Sequence, residues 1–264
     1  MGRLSEAFAR ARRENRPALV IYLCAGDPDI ATSLRLMKAI AAAGADVIEV
    51  GVPFSDPTAD GPVIQRASER ALAAGTNLPM VLSAVKELRA ETEVPVVLFG
   101  YYNPILAHGE AQVAADAAQA GVDGFLVVDL PPEEAKPFVA AIRQHGMSFV
   151  PLIAPTTSDA RCSLIAGCAD EFIYYVSLTG VTGAATDLGA AAERAIEVGK
   201  RTGLPVAVGF GVKTPQDVQV LAGRADGVVV GSAICVAIEQ AATADAKVAA
   251  VTELVRSLRA ACVR

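Results

Sequence analysis

The chain has 264 residues, 53% of them hydrophobic, and a formal net charge of −6. Its positive mean hydropathy and a length close to that of the roughly 250-residue single-domain barrels allow one large core and exclude a disordered chain. The acidic balance excludes the clustered Lys and Arg footprint of a nucleic-acid binder, so an anionic small substrate would need a local site.

At the N-terminus, Arg3, Arg10, Arg12, Arg13 and Arg16 flank Leu4, Ala7, Phe8 and Ala11 at helical spacing. Glu6 and Glu14 interrupt the basic face, which predicts an amphipathic helix packed on the domain rather than a targeting peptide. Strands are then predicted near 18–24, 46–50, 95–100, 124–128, 148–153, 171–176, 205–209 and 227–230. Between them lie Ala-rich stretches of 3.6-residue period, such as 30–43, 109–119, 133–145, 188–202 and 214–223. Continuous apolar strands alternating with helices imply a parallel sheet covered on both faces. Eight such units predict an α/β fold, a single (β/α)8 TIM barrel with an extra N-terminal helix, spanning residues 1–264 as one domain.

A weak repeat supports closure of the sheet. The segments starting at Gly44, Gly121, Cys168 and Arg224 align without gaps over the second, fourth, sixth and eighth strands, each with an aspartate at the third position. The odd strands share a different signature: Pro17, Pro95 and Pro205 each precede a strand by one residue, whereas the fifth strand carries Pro151 inside it. Two alternating strand classes suit a barrel whose interior is filled in layers by alternate strands. The aligned Asp46, Asp123, Asp170 and Asp226 fall in helix-to-strand turns and are expected to be structural.

In this frame Glu49 aligns with Leu126, Ile173 and Val229, all ordinary core residues. A carboxylate in an apolar strand costs several kcal/mol (order of magnitude) unless it is paired or used. Asp60 lies just beyond it, in a Gly/Pro/Asp-rich loop from Gly51 to Pro62. Two carboxylates in different surroundings at the end of one strand can divide acid, base and orienting roles. The carboxyl ends of barrel strands are where such folds build active sites, and the remaining distinctive segments fall there too.

Glycines mark an anion site at the same end. Gly209-Phe210-Gly211 closes the seventh strand, Gly231-Ser232 closes the eighth just before a helix, and Gly180-Val181-Thr182-Gly183 follows the sixth. Glycine-freed N–H groups and a helix N-terminus bind phosphate without a cationic side chain. The polar run from Ser177 to Asp187, including Thr179, Gly180 and Thr182, is expected to be a lid over a bound ligand. Tyr22, Leu126, Ile153, Tyr174 and Phe210 are expected to line an apolar pocket for a flat aromatic group.

Other chemistries are disfavoured. The chain has two histidines, His108 and His145, and five scattered cysteines without zinc-site spacing, so no metal site is expected and the thiols read as reduced and cytosolic. None of the six lysines falls inside a predicted strand, which disfavours a Schiff-base aldolase. No apolar stretch reaches the roughly 18 residues of a membrane span. Acid/base chemistry by carboxylates on a phosphorylated, partly aromatic substrate remains.

The chain resembles the tryptophan synthase alpha subunit family. The resemblance rests on Glu49, Val52-Pro53-Phe54-Ser55-Asp56-Pro57, Ala59-Asp60-Gly61-Pro62 and Ile64-Gln65. Ala25-Gly26-Asp27-Pro28, Tyr101-Tyr102-Asn103-Pro104-Ile105, Asp129-Leu130-Pro131, Gly180-Val181-Thr182-Gly183, Gly209-Phe210-Gly211 and Gly231-Ser232-Ala233-Ile234 follow in the family's order. It departs at Thr58, usually leucine, and at Ala185, often charged or polar. The resemblance implies a cytoplasmic lyase of tryptophan biosynthesis that splits indole-3-glycerol phosphate into indole and D-glyceraldehyde 3-phosphate without a cofactor of its own. Glu49 would be the general acid/base, Asp60 would hold the indole N–H, and Gly183, Gly211, Gly231 and Ser232 would hold the phosphate. The implied partner is a beta subunit carrying pyridoxal phosphate, in an αββα complex, meeting the proline-rich loops at 53–62 and 102–105. Alternatives are a phosphate-binding isomerase of the same fold, a stand-alone indole-releasing lyase, or a non-catalytic phosphate-binding allosteric subunit.

Overall fold

Residues 2–176, 188–209 and 211–264 are described by the computed structural model of the chain. Its strands are β1 (Ala18–Cys24), β2 (Val47–Gly51), β3 (Val96–Gly100), β4 (Gly124–Val127), β5 (Ser148–Phe149), β6 (Leu152–Ile153), β7 (Ile173–Val176), β8 (Val206–Gly209) and β9 (Gly227–Val230). They pair in parallel in the order β5-β4-β3-β2-β1-β9-β8-β7-β6. The two ends of that order, β5 and β6, are successive pieces of one predicted strand. Between them, the Val150 N–H donates to Phe125 O at 2.8 Å, and Pro151 O accepts from the Tyr174 N–H at 3.0 Å. The sheet is therefore a closed ring of eight strands, the fifth interrupted where proline has no N–H to give to a ladder. The predicted helices appear at Ile30–Ala42, Glu110–Ala120, Lys136–Gln144, Leu188–Thr202 and Pro215–Ala222.

Alternation along the strands separates two cores. Leu19, Ile21, Ile48 and Val50 pack outward against the helices. Val20, Tyr22, Val47, Val97, Leu126, Tyr174 and Val229 face the barrel interior. The N-terminal helix, Arg3–Arg13, adds Leu4, Ala7, Phe8 and Ala11 to this inner cluster and closes the amino end of the barrel. Phe8 packs on Phe172 with ring centroids 4.8 Å apart. A side chain on Gly124 would begin 2.8 Å from Ser148 O and 3.2 Å from Leu4 Cδ1, and one on Gly227 would begin 3.0 Å from Ala207 Cβ and 3.1 Å from Phe8 Cε1. Glycine at these strand starts thus makes room for both the neighbouring strand and the closing helix.

The repeat aspartates are structural. Asp46, Asp123, Asp170 and Asp226 accept the backbone N–H of Leu19, Val96, Phe149 and Val206 at 2.9, 2.8, 2.8 and 3.1 Å. Their own N–H groups return to the carbonyls of the same four residues. Each carboxylate thus ties the start of one strand to the start of its neighbour, and arginines neutralise it: Arg16 on Asp46, Arg89 on Asp123, Arg143 on Asp170. The gapless alignment slips in β7, however. There Phe172 and Tyr174 face inward and Ile173 faces outward, so Ile173 is no sibling of Glu49; Glu171 inserts one residue between clamp and strand.

Asp46 gives a stability test. Burial pushes its pKa up, but hydrogen bonds from Arg16 and the Leu19 amide outweigh burial and hold it below the ordinary carboxylate value. Asp46→Ala leaves Arg16, 5% exposed, without its main counter-charge, an expected loss of about 3 kcal/mol in urea unfolding at pH 7. A depressed native pKa means the contribution is present above about pH 4 and fades as acid titrates the native carboxylate. The gap between wild type and variant should therefore narrow on acidification; a gap independent of pH would contradict the clamp.

Candidate active site

Glu49 projects from β2 into the barrel, in register with Tyr22 on β1 and Val97 on β3. It is 1% exposed, and among the described residues neither carboxylate oxygen has a hydrogen-bond partner. Burial alone pushes its pKa up to about 8, so at neutral pH the side chain is mainly a neutral acid.

Asp60 is held through both its carboxylate and its carbonyl. Tyr101 Oη donates to its Oδ2 at 3.1 Å, the same hydroxyl accepts the Ala59 N–H at 3.0 Å, and Gln65 Nε2 donates to the Asp60 carbonyl at 2.9 Å. Tyr101 is fixed in turn by stacking on Phe54, ring centroids 5.1 Å apart. Phe54 is anchored through both backbone groups to the Ser68 hydroxyl. Pro62 ends the loop by starting the helix Pro62–Ala73, where its fixed φ suits the first turn. Burial pushes the Asp60 pKa up to about 6, against the pull of the Tyr101 hydrogen bond, so Asp60 is mainly ionised at neutral pH. One wall of the chamber therefore presents a proton donor and the loop above it presents an anion, the division that acid/base chemistry on one substrate needs.

The inner wall includes Tyr22, Leu126 and Tyr174, which are buried and in one cluster, as the pocket expectation requires. Ile153 is a correction. It lies in register with Tyr175, and both pack in the outer layer, whereas Leu152 lies in register with Tyr174 and packs on the inner cluster. The faces follow an alternation that runs on unbroken through Pro151, with Phe149 outward, Val150 inward, Leu152 inward and Ile153 outward. Leu152 and Tyr101 are the pocket and loop residues that sequence reasoning missed. Phe210, Gly183, Thr179, Gly180 and Thr182 lie outside the described residues.

At the carboxyl end of β9, Gly231 is the N-cap of the helix Ser232–Gln240, with no side-chain cap on the helix. The first N–H groups of such a helix have no intrahelical acceptor and face outward with the positive end of the helix dipole. Gly211, after β8, has φ +81°, a left-handed conformation open to glycine. This helix is braced from below. Arg70 forks onto both oxygens of the buried Asp27 at 2.8 Å and reaches Glu239 at 2.9 Å, and Arg66 holds the same Glu239. The loop after β1, the helix after Asp60 and the helix Ser232–Gln240 are thereby one charged framework. Cys24, at the carboxyl end of β1, is buried, and burial pushes its thiol well up, which favours the protonated form. The expected loop at 102–105 is instead the first turn of a helix, Tyr102–His108, where Pro104 loses no hydrogen bond.

Among the described residues no group of three His, Cys, Asp or Glu side chains is placed to hold a metal ion, and no helix is long and apolar enough to cross a membrane. A sequence profile described as "Tryptophan synthase alpha chain" matches residues 8–263. The tryptophan synthase alpha chain of Dechloromonas aromatica is 52% identical over 261 residues, which cover 98% of this chain and 97% of that one. The crystal structure of tryptophan synthase subunit alpha from Legionella pneumophila superposes with a TM-score of 0.92 at 39% identity, covering 99% and 98% of the two chains. A chain from the tryptophan synthase complex of Pyrococcus furiosus gives 0.85 at 38% identity over 93% and 98%.

Proposed function

We infer that this chain, which belongs to the tryptophan synthase alpha chain family, is a carbon–carbon lyase that cleaves indole-3-glycerol phosphate to indole and D-glyceraldehyde 3-phosphate in tryptophan biosynthesis. The observation that carries the reading is Glu49: a carboxyl in the barrel wall with no partner among the described residues and a proton retained at neutral pH.

The carboxyl of Glu49 protonates C3 of the indole ring and leaves the ring cationic. Asp60, ionised, accepts the ring N–H and balances that charge. The bond from C3 to the glycerol carbon then breaks, and its electron pair returns to the ring and restores aromaticity. The Glu49 carboxylate takes the proton from the hydroxyl on the departing carbon as that carbon becomes the aldehyde. Glu49 ends as it began, protonated, and the reaction consumes no water. Indole lies among Tyr22, Leu126, Leu152 and Tyr174, with Phe210 a further candidate. The phosphate sits on the N–H groups at Gly211, Gly231 and Ser232, with Gly183 assigned to the same cradle and Thr179, Gly180 and Thr182 to a lid.

The partner is a beta subunit, in an αββα complex that meets the 53–62 loop and the Tyr102–His108 helix; pyridoxal phosphate belongs to that partner. The complex works in the cytoplasm. Purified chain incubated with indole-3-glycerol phosphate should release indole and glyceraldehyde 3-phosphate in equal amounts, faster when a beta subunit is added. Partner activation without any indole release, alone or in complex, would leave a non-catalytic subunit instead.

A further inference from the structure

Tyr22 crosses the space between the phosphate cradle and the acid. A Cβ built on Gly231 would lie 3.1 Å from its Cδ1 and 3.2 Å from its Cβ, so the root of the side chain rests on the N-cap of the cradle helix. A Cβ built on Gly51 would lie 2.4 Å from its Oη, so the phenol tip occupies the space of a side chain two residues beyond Glu49 on the same strand. Two residues of strand are about 6.5 Å, which places the hydroxyl one interior layer above the acid, on the mouth side. An edge contact with Phe99, centroids 5.1 Å apart at 73°, fixes the ring.

Among the described residues nothing hydrogen-bonds the Tyr22 hydroxyl, although the residue is only 6% exposed. A phenylalanine would fill the same space without a polar atom to satisfy. The hydroxyl is therefore matched to something that enters the chamber. On the reading above, the substrate lays three carbons between phosphate and ring. The first carries the phosphate into the cradle, and the third carries the hydroxyl that surrenders its proton to Glu49. The middle carbon, with its own hydroxyl, passes the tip of Tyr22.

We propose that the Tyr22 hydroxyl is a specificity determinant that hydrogen-bonds the middle hydroxyl of the substrate's three-carbon chain. Because burial pushes its pKa well above the ordinary phenol value, it stays protonated, and donates, at every pH at which the enzyme is folded and active. Tyr174 leans in the same way over Gly209, whose Cβ would lie 2.1 Å from its Oη, but it does so from β7, and the three atoms nearest to a Cβ on Gly231 all belong to Tyr22.

The assignment rests on the lyase reading, and two ligands separate the two. Tyr22→Phe keeps the ring and loses only the hydroxyl. Its KM for indole-3-glycerol phosphate should rise about three- to tenfold, the worth of one neutral hydrogen bond, with kcat changed by no more than about twofold. Its Kd for indole-3-propanol phosphate, which has the same ring and phosphate and no chain hydroxyl, should equal that of wild type. An unchanged KM, or equal weakening of both ligands, overturns the assignment. If wild type neither turns over the first ligand nor binds the second, the lyase reading itself has failed and Tyr22 with it.

Discussion

Glu49→Gln is expected to lower kcat by about 10² to 10⁴-fold or more while the protein folds as before. The amide keeps the shape of the side chain and can neither lend the proton to C3 nor recover it from the glycerol hydroxyl, so both halves of the reaction lose their carrier. Stability should move the other way. The native pKa of about 8 stands above the ordinary 4.5, so the folded state holds a proton that the unfolded chain releases between those values. Wild type therefore loses stability relative to the variant as pH rises through that window, at up to about 1.4 kcal/mol per pH unit. Steady-state assays of indole release, with urea unfolding at pH 5 and pH 8, test both limbs. A variant with near-normal turnover would reject Glu49 as the proton carrier. One equally stable relative to wild type at both pH values would show that the native carboxyl is not held protonated.

Asp60→Asn is expected to be severe but milder, on the order of 10²-fold in kcat, because an amide still accepts the ring N–H and cannot balance its charge. The pH profile adds a second reading. Asp60 must be ionised, so kcat/KM of wild type should fall as pH drops through about 6. Glu49 must start protonated, so it should also fall as pH rises through about 8. The asparagine variant should keep the alkaline limb and lose the acid one. Retention of the acid limb would assign it to another group.

Much of this was legible because the decisive features are local. A glutamate inside Val47-Ile48-Glu49-Val50 stands out from its neighbours, and the Asp-containing repeat marks the strand starts that the aspartates later clamp. The eight strand positions follow from apolar runs, and the structure changes their ends by at most two residues, with one split at Pro151. What stayed hidden depends on register or on distance in the chain. Whether Leu152 or Ile153 faces inward is a matter of the phase of the alternation, and a continuous apolar run does not mark that phase. The grip of Tyr101 on Asp60 spans 41 positions and is visible only once β3 lies beside β2.

The helix Arg3–Arg13, with Leu4 and Phe8 wedged into the barrel floor, makes the interior a one-ended vessel. Among the described residues the amino end offers no exit, so substrate and both products share the doorway at the carboxyl end, and a small apolar molecule such as indole leaves where it entered. Any protein that seats itself over that doorway inherits the indole before bulk water does. A hand-over between subunits would then need no tunnel through this chain, only a lid that happens to be another enzyme.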